Sequence, residues 1–315
     1  MEKQRVEKIY SDYIDLTEIF NIIWLQKKIL AIAIIASALL SVIYSLTLTN
    51  YYKSEAIFSV TSENNKPSNV GGSVGAIASL AGINLGSPGT EDKASLIIET
   101  IKSRAFLEHI LTFDEVLPGM MAAESYNPIT LTLSYDQRSY DSKNKVWVRN
   151  VSTPFKKKPS VIETHMKYIS EILTIQQDRK TGFIYMSVEH ISPVFAKELL
   201  DLIFQQANAL LSKKDMEEAA NSLEYLQSES SQNLVKEMRS SISQLMLSQL
   251  EIQMLTKVRK DYALRVIDPP YVPELKSKPS RATICFLGTI LGTFLSLIMV
   301  LLIHYYQPTA LNKNT

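Results

Sequence analysis

Asp268-Pro269-Pro270-Tyr271-Val272-Pro273-Glu274-Leu275-Lys276-Ser277-Lys278-Pro279-Ser280-Arg281 runs directly into the apolar segment 282–303, and this junction decides the fold. Each proline fixes its own φ and pushes the preceding residue out of the α region, so the stretch predicts an extended, stiff strut rather than a helix. The segment that follows carries no charge; as a helix rising 1.5 Å per residue it covers roughly 31 Å, the thickness of a hydrocarbon core. It reads as a transmembrane helix. Within it Gly288 and Gly292 form a G-x-x-x-G pair, with Thr289, Thr293 and Ser296 as further small residues, a face suited to close helix packing.

A second uncharged apolar run, 29–48, follows Lys27-Lys28 near the other end of the chain. A cleaved signal peptide is the competing reading. The long preceding region and the lack of a small-x-small site at the end of the run favour an anchor. Two spans put residues 1–28 and 304–315 on one side and 49–281 on the other. The expectation is a membrane hairpin with one large extramembrane body. Lys27 and Lys28 against a lone Lys53 place the N-terminus in the cytoplasm, while Lys276, Lys278 and Arg281 against Lys313 argue the reverse at the second span. The first span usually dominates, so both ends are taken as cytoplasmic.

The chain has 315 residues and a net charge of +1, from 33 basic and 32 acidic side chains, so no global field recommends nucleic acid. The only cysteine, Cys285, lies in the second span, leaving the body to hold together by packing alone.

Before the first span, Tyr13, Leu16, Ile19, Phe20, Ile23 and Trp24 recur at helical spacing, as an interfacial helix or a continuation of the span. After it, Tyr51-Tyr52 suit the membrane interface and 54–61 reads as a strand with Ala56, Phe58 and Val60 on one face. The stretch 71–89 holds six of the ten glycines. No glycine there is followed by Lys-Ser/Thr, so a phosphate cradle is set aside in favour of a small-residue apolar loop.

One helix is expected over 91–111, capped by Thr90, with Ala94, Ile97, Ile98, Ile101, Ala105 and Leu107 as its apolar face. Strict alternation makes 129–135 the clearest strand, with Ile129, Leu131, Leu133 and Tyr135 aligned. Residues 136–159 read as polar loop; Lys156-Lys157-Lys158 in it suit an anionic sugar or plain solvated surface. The segment 161–172 reads as helix. Strands 173–177 and 183–190 are joined by Asp178-Arg179-Lys180-Thr181-Gly182, a hairpin whose glycine takes φ > 0. Ser192-Pro193 then offers an N-cap and an N1 proline. No glycine or proline follows between Val194 and Asp268, so long helices are expected over about 193–263. One of them, 216–262, would extend roughly 70 Å. A last strand, 264–268, leads into the strut. The fold class is an α+β membrane protein, in which two transmembrane helices flank a domain with a small membrane-proximal sheet and long helices.

Catalytic chemistry is missing. His109, His165, His190 and His304 stand in no metal-ligand spacing and are expected as surface or interface residues. No G-x-S-x-G elbow occurs, and a cysteine inside lipid is no solvent-fed nucleophile. No catalytic, cofactor or metal residues are assigned, and the chain reads as a non-enzyme.

At this point the chain resembles the Wzz-type chain-length determinants, bacterial polysaccharide co-polymerases. The resemblance rests on the two terminal spans, Tyr13-Ile14-Asp15-Leu16, Leu80-Ala81-Gly82-Ile83-Asn84-Leu85 and Lys102-Ser103-Arg104-Ala105-Phe106-Leu107. It also rests on Asp178-Arg179-Lys180-Thr181-Gly182 and on Val266-Ile267-Asp268-Pro269-Pro270-Tyr271-Val272-Pro273-Glu274 with Lys278-Pro279-Ser280-Arg281 beyond. Related exopolysaccharide members fuse a tyrosine kinase to the second span; none follows here, which places the chain with the O-antigen regulators.

The resemblance implies a periplasmic α/β base, long helices and a homo-oligomer in the bacterial inner membrane. It implies control of O-antigen length in lipopolysaccharide, as a scaffold for a Wzy-type polymerase and the growing lipid-linked polysaccharide. From it follow the expected site residues. Gly288 and Gly292 would pack the second span against a sister span or the polymerase; Pro269, Pro270, Pro273, Pro279 and Arg281 would fix how the body meets the membrane. A structural role in capsule or exopolysaccharide export is the alternative; a ligand sensor is disfavoured by the short tail.

Overall fold

The computed structural model describes residues 24, 26–61, 90–230, 236–259 and 261–306. The amphipathic pattern at Tyr13 to Ile23, the glycine-rich loop 71–89 and the tail beyond 306 lie outside these. The chain divides into two compact units, one of Met1–Asn50 with Ser277–Thr315 and the other of Tyr51–Lys276.

The first unit begins with helix α1 (Lys27–Thr47). The second begins with strand β1 (Tyr51–Val60), in which Ser54, Ala56 and Phe58 alternate inward, the face expected from the sequence apart from the half-buried Val60. Helices α2 (Thr90–Lys102) and α3 (Arg104–Ile110) come next. The single helix expected over 91–111 is therefore two. Ser103 has extended backbone and its hydroxyl accepts from the Phe106 N–H, so it caps a new helix and ends the old one.

A short helix α4 (Val116–Ala122) leads into β2 (Ala123–Asn127), which pairs antiparallel with β3 (Thr132–Tyr135). The long strand expected over 129–135 is cut to its last four residues. The Asn127 carboxamide oxygen accepts from the Ile129 N–H at 2.9 Å, opening a turn in which Leu131 sits at φ +54°. Ile129 is 91% exposed and Leu131 63%, so their alternation is not a buried face. Within the expected loop 136–159 a small antiparallel ladder forms between β4 (Tyr140–Asp141) and β5 (Val146–Trp147).

Helix α5 (Val161–Lys167) widens into a π turn over Tyr168–Ile172 and passes into β6 (Leu173–Gln177). The Asp178 carboxylate accepts from Lys180 N and Thr181 Oγ1, Gly182 takes φ +73°, and β7 (Ile184–His190) returns antiparallel. Ser192 Oγ accepts from Phe195 N at the start of α6 (Pro193–Ser230). Helix α7 (Lys236–Val258) packs back along α6: Ser212 Oγ donates to Thr256 O, and Leu226 packs with Ile242 and Leu245. The expected rod 216–262 is thus a helical hairpin. Its apolar stripe is covered in part by the preceding helix of the same chain.

Strand β8 (Leu264–Asp268) closes the main sheet, whose path runs β6–β7–β1–β8 with antiparallel neighbours. Register sets Phe58 opposite Ile184, Ala56 opposite Met186 and Ile175 opposite Met186, all buried on one face. Helix α6 covers that face with Leu199, Leu200, Ile203 and Ala207, and Phe58 stacks on Phe204 at 4.9 Å. Ile97, Ile101, Phe106, Leu107 and Ile110 complete the cluster. Each such side chain contributes about 1.5–3 kcal/mol on burial, which is what a body without disulfides depends on.

Asn208 of α6 fastens this hairpin to the sheet. Its oxygen accepts from Ala263 N and Leu264 N, both at 2.8 Å, and its amide donates to Leu264 O at 3.0 Å. A three-residue strand β9 (Lys276–Lys278) precedes the closing helix α8 (Arg281–Tyr306) of the first unit.

Candidate functional site

Helices α1 and α8 are both long and apolar enough to cross a membrane by length and composition. They pack on each other through small residues. A Cβ added to Gly288 would run into the Ser41 side chain, and one added to Gly292 into Ser37. Ser37 and Ser41 are four residues apart, as are the two glycines, so two small faces meet as the helices run antiparallel. Ser41 Oγ donates to the Ile284 carbonyl at 3.1 Å, while Ser45, one turn on, is 1% exposed.

The partner of the glycine face in this structure is therefore the chain's own first apolar helix. Ser37 and Ser41 are functional candidates that the sequence reading passed over, although their four-residue spacing inside an apolar run was visible. The outer surfaces of the pair are the reverse of a soluble protein's. Ile32, Leu39, Leu40 and Ile43 of α1 and Phe286, Leu287, Leu291 and Phe294 of α8 all stand exposed. Small residues inside and large apolar residues outside suit a hydrocarbon solvent.

No helix forms between Asp268 and Arg281. Pro270 and Pro273 are buried, Pro269 is exposed and Pro279 half-buried. Within the second unit the strut is tied to the sheet, since the fully buried Ser54 donates its hydroxyl to the Tyr271 carbonyl at 2.7 Å. Within the first unit Arg281 Nη2 donates to Asn50 Oδ1 at 3.2 Å, joining the first residue of α8 to the segment that follows α1.

Histidine placement corrects one expectation. His109 and His165 are half-buried, bonded to Gln206 and to the Lys102 carbonyl, and the side chain of His304 lies outside the described residues. His190 is not a surface residue; it is 5% exposed beneath α4. Its Nδ1 accepts from the Ser192 N–H, so Nε2 carries the proton and donates to the Gly119 carbonyl at 3.0 Å. Burial pushes the ring's pKa down to about 4, holding it neutral. Gly119 is equally specific, because a Cβ there would meet the ring of Phe195, which lies 4.4 Å from the His190 ring. This is a packing device. Among the described residues no three His, Cys, Asp or Glu side chains gather in a way that could hold a metal ion.

The family model described as "Wzz: Chain length determinant protein" matches residues 12–112. The matched residues include Tyr13 to Leu16, Leu80 to Leu85 and Lys102 to Leu107, so the resemblance drawn from those motifs holds there; Asp178 to Gly182 and the strut lie beyond it. No curated protein matches in sequence. Among solved structures, a full-length bacterial polysaccharide co-polymerase is 14% identical, with 95% of this chain and 100% of that one covered and a TM-score of 0.40. A fragment of WzzB, the polysaccharide co-polymerase from Salmonella Typhimurium, is 14% identical, with 73% and 100% covered and a TM-score of 0.29.

Proposed function

We propose that this chain determines the length of a surface polysaccharide, O-antigen or a similar polymer, as a polysaccharide co-polymerase of the bacterial inner membrane. The observation that carries the reading is the chain length determinant match over residues 12–112, which takes in the first apolar helix and β1. The pairing of α1 with a second apolar helix at the other end of the chain supports it.

In this reading both termini are cytoplasmic and the Tyr51–Lys276 body is periplasmic. The protein makes no bonds itself. Several copies form a homo-oligomeric scaffold that holds a Wzy-type polymerase and the growing lipid-linked chain at high effective concentration, so that extension competes differently with release. Pro269, Pro270, Pro273, Pro279 and Arg281 set how the body meets the membrane; Gly288 and Gly292 keep the spans closely packed, and through them the approach of a neighbouring span.

Affinity capture of the full chain from detergent-solubilised membranes tests the scaffold. Recovery of the polymerase with the protein is the expected result. Recovery of an outer-membrane exporter in its place would transfer the chain to an export complex.

A further inference from the structure

The second unit holds a groove of about 760 Å³ that no part of the packing account uses. It lies among the start of α4, the end of β3 and the β4–β5 ladder. Its aromatic side is a continuous series of rings: Tyr135 meets Tyr140 edge-on at 5.7 Å, and Tyr140 meets Trp147 at 5.0 Å with their planes tilted by 51°. The series is set by the ladder itself, in which Tyr140 and Trp147 are direct cross-strand partners. Charges edge the groove in both signs, Asp114 and Glu115 from one segment and Lys145, Lys157 and Lys158 from others.

The lysine edge is held in place. Arg149, two residues past Trp147, donates to the carbonyls of Lys156 and Lys157 and pairs through both terminal nitrogens with Glu163 of α5. The backbone carrying Lys157 and Lys158 is thereby tied to a helix, while their ammonium groups enter no ion pair among the described residues. On the other side the Glu115 carboxylate is close enough to Tyr135 to help raise its pKa, after desolvation.

We propose that this groove binds a short stretch of glycan, a few pyranose units of the polymer whose length the protein sets; the inference rests on the function proposed above. A pyranose has a C–H face that packs on aromatic rings and a rim of hydroxyls that bond to charged side chains, and the groove offers both. Its size falls within the roughly 300–1,000 Å³ of ligand clefts. Three lysines against two carboxylates favour a sugar bearing an acidic substituent, whereas the carboxylates repel a continuous phosphate backbone. An aliphatic partner helix would meet charge along both edges of the groove.

The test uses the full chain in detergent, with Trp24→Phe so that Trp147 is the sole tryptophan. The probe is an oligosaccharide fragment of the host strain's own surface polysaccharide, and the readout is Trp147 emission. A saturable change is expected. Tyr135→Ala, or Lys157→Glu with Lys158→Glu, should weaken binding about tenfold or more with an unchanged unfolding temperature. No saturable change, or equal affinity in all variants, overturns the inference. If the groove binds nothing while polymer length still depends on the protein, the groove is wrong and the length reading stands. If polymer length does not depend on the protein, the length reading fails whatever the groove binds.

Discussion

Ser41 of α1 occupies the space left by the missing Cβ of Gly288 in α8, and its hydroxyl reaches the carbonyl of Ile284 one turn earlier. Among the described residues the two apolar helices meet through shape and the Ser41 hydrogen bond; in a hydrocarbon solvent apolar burial would add no drive.

Replacing both Gly288 and Gly292 with leucine forces Ser41 and Ser37 away. Overpacking of this kind costs about 1–3 kcal/mol, enough to part the helices without expelling either from the membrane. In a Cys285→Ser background, Ser41→Cys with Gly288→Cys should cross-link within one chain, and Gly292→Leu should suppress that cross-link. In cells the double leucine variant should insert normally and shift the polymer length distribution; normal banding would remove the glycines from the account.

His190 gives the second unit a pH dependence of known sign. Its folded pKa, about 4, lies below the ordinary value of 6.5, so the unfolded chain binds more protons between those values. Stability should be level above pH 6.5 and fall between pH 6.5 and 4, by about 3 kcal/mol in all. His190→Gln keeps a donor for the Gly119 carbonyl and should flatten this part of the profile in thermal unfolding at stepped pH. An unchanged slope would assign the acid sensitivity elsewhere.

Arg149 should behave as a half-buried ion-pair member whose loss leaves its partner without its forked contact. The guanidinium bonds hold the Glu163 carboxyl below the usual carboxylate range, and only about a sixth of that side chain is exposed. Arg149→Ala should cost about 1–2 kcal/mol, while Arg149→Lys should recover little because an ammonium cannot make the forked contact. Urea unfolding of the two variants checks both statements.

Asn208→Ala removes the partner of two N–H groups and one carbonyl at the entry to β8. A loss of about 2–4 kcal/mol is expected, together with faster amide exchange at Ala263 and Leu264. Slow exchange at both amides in the variant would show that β8 does not depend on this side chain.

What the sequence made legible was local. Composition alone marks α1 and α8; period-two patterns with a Gly182 turn mark β6 and β7; proline chemistry marks the stretch without helix before Arg281. The misreadings share one cause, a local pattern outweighed by a specific contact. Ser103 lies inside an unbroken apolar periodicity, yet its hydroxyl starts a new helix. Ile129 and Leu131 alternate as a strand would, but Asn127 and Pro128 turn the chain first. The stripe over 216–262 has the right period for a rod, and periodicity carries no information on where α7 turns back along α6. Gly119 is required by Phe195 and His190, more than 70 residues away, and nothing near it in sequence announces that. The aromatic groove was hidden similarly, because Tyr140 and Trp147 fall in a segment that reads as polar loop, and nothing in the expected strand 129–135 says that its Tyr135 meets them.

The central claim is length control, and the most direct measurement is the size distribution of the surface polysaccharide in a deletion strain with and without this gene restored. Restoration should convert a random, short-biased ladder into one clustered about a modal length. An unchanged ladder, with polymer accumulating inside the cell only when the gene is absent, would contradict the account and assign the protein to export.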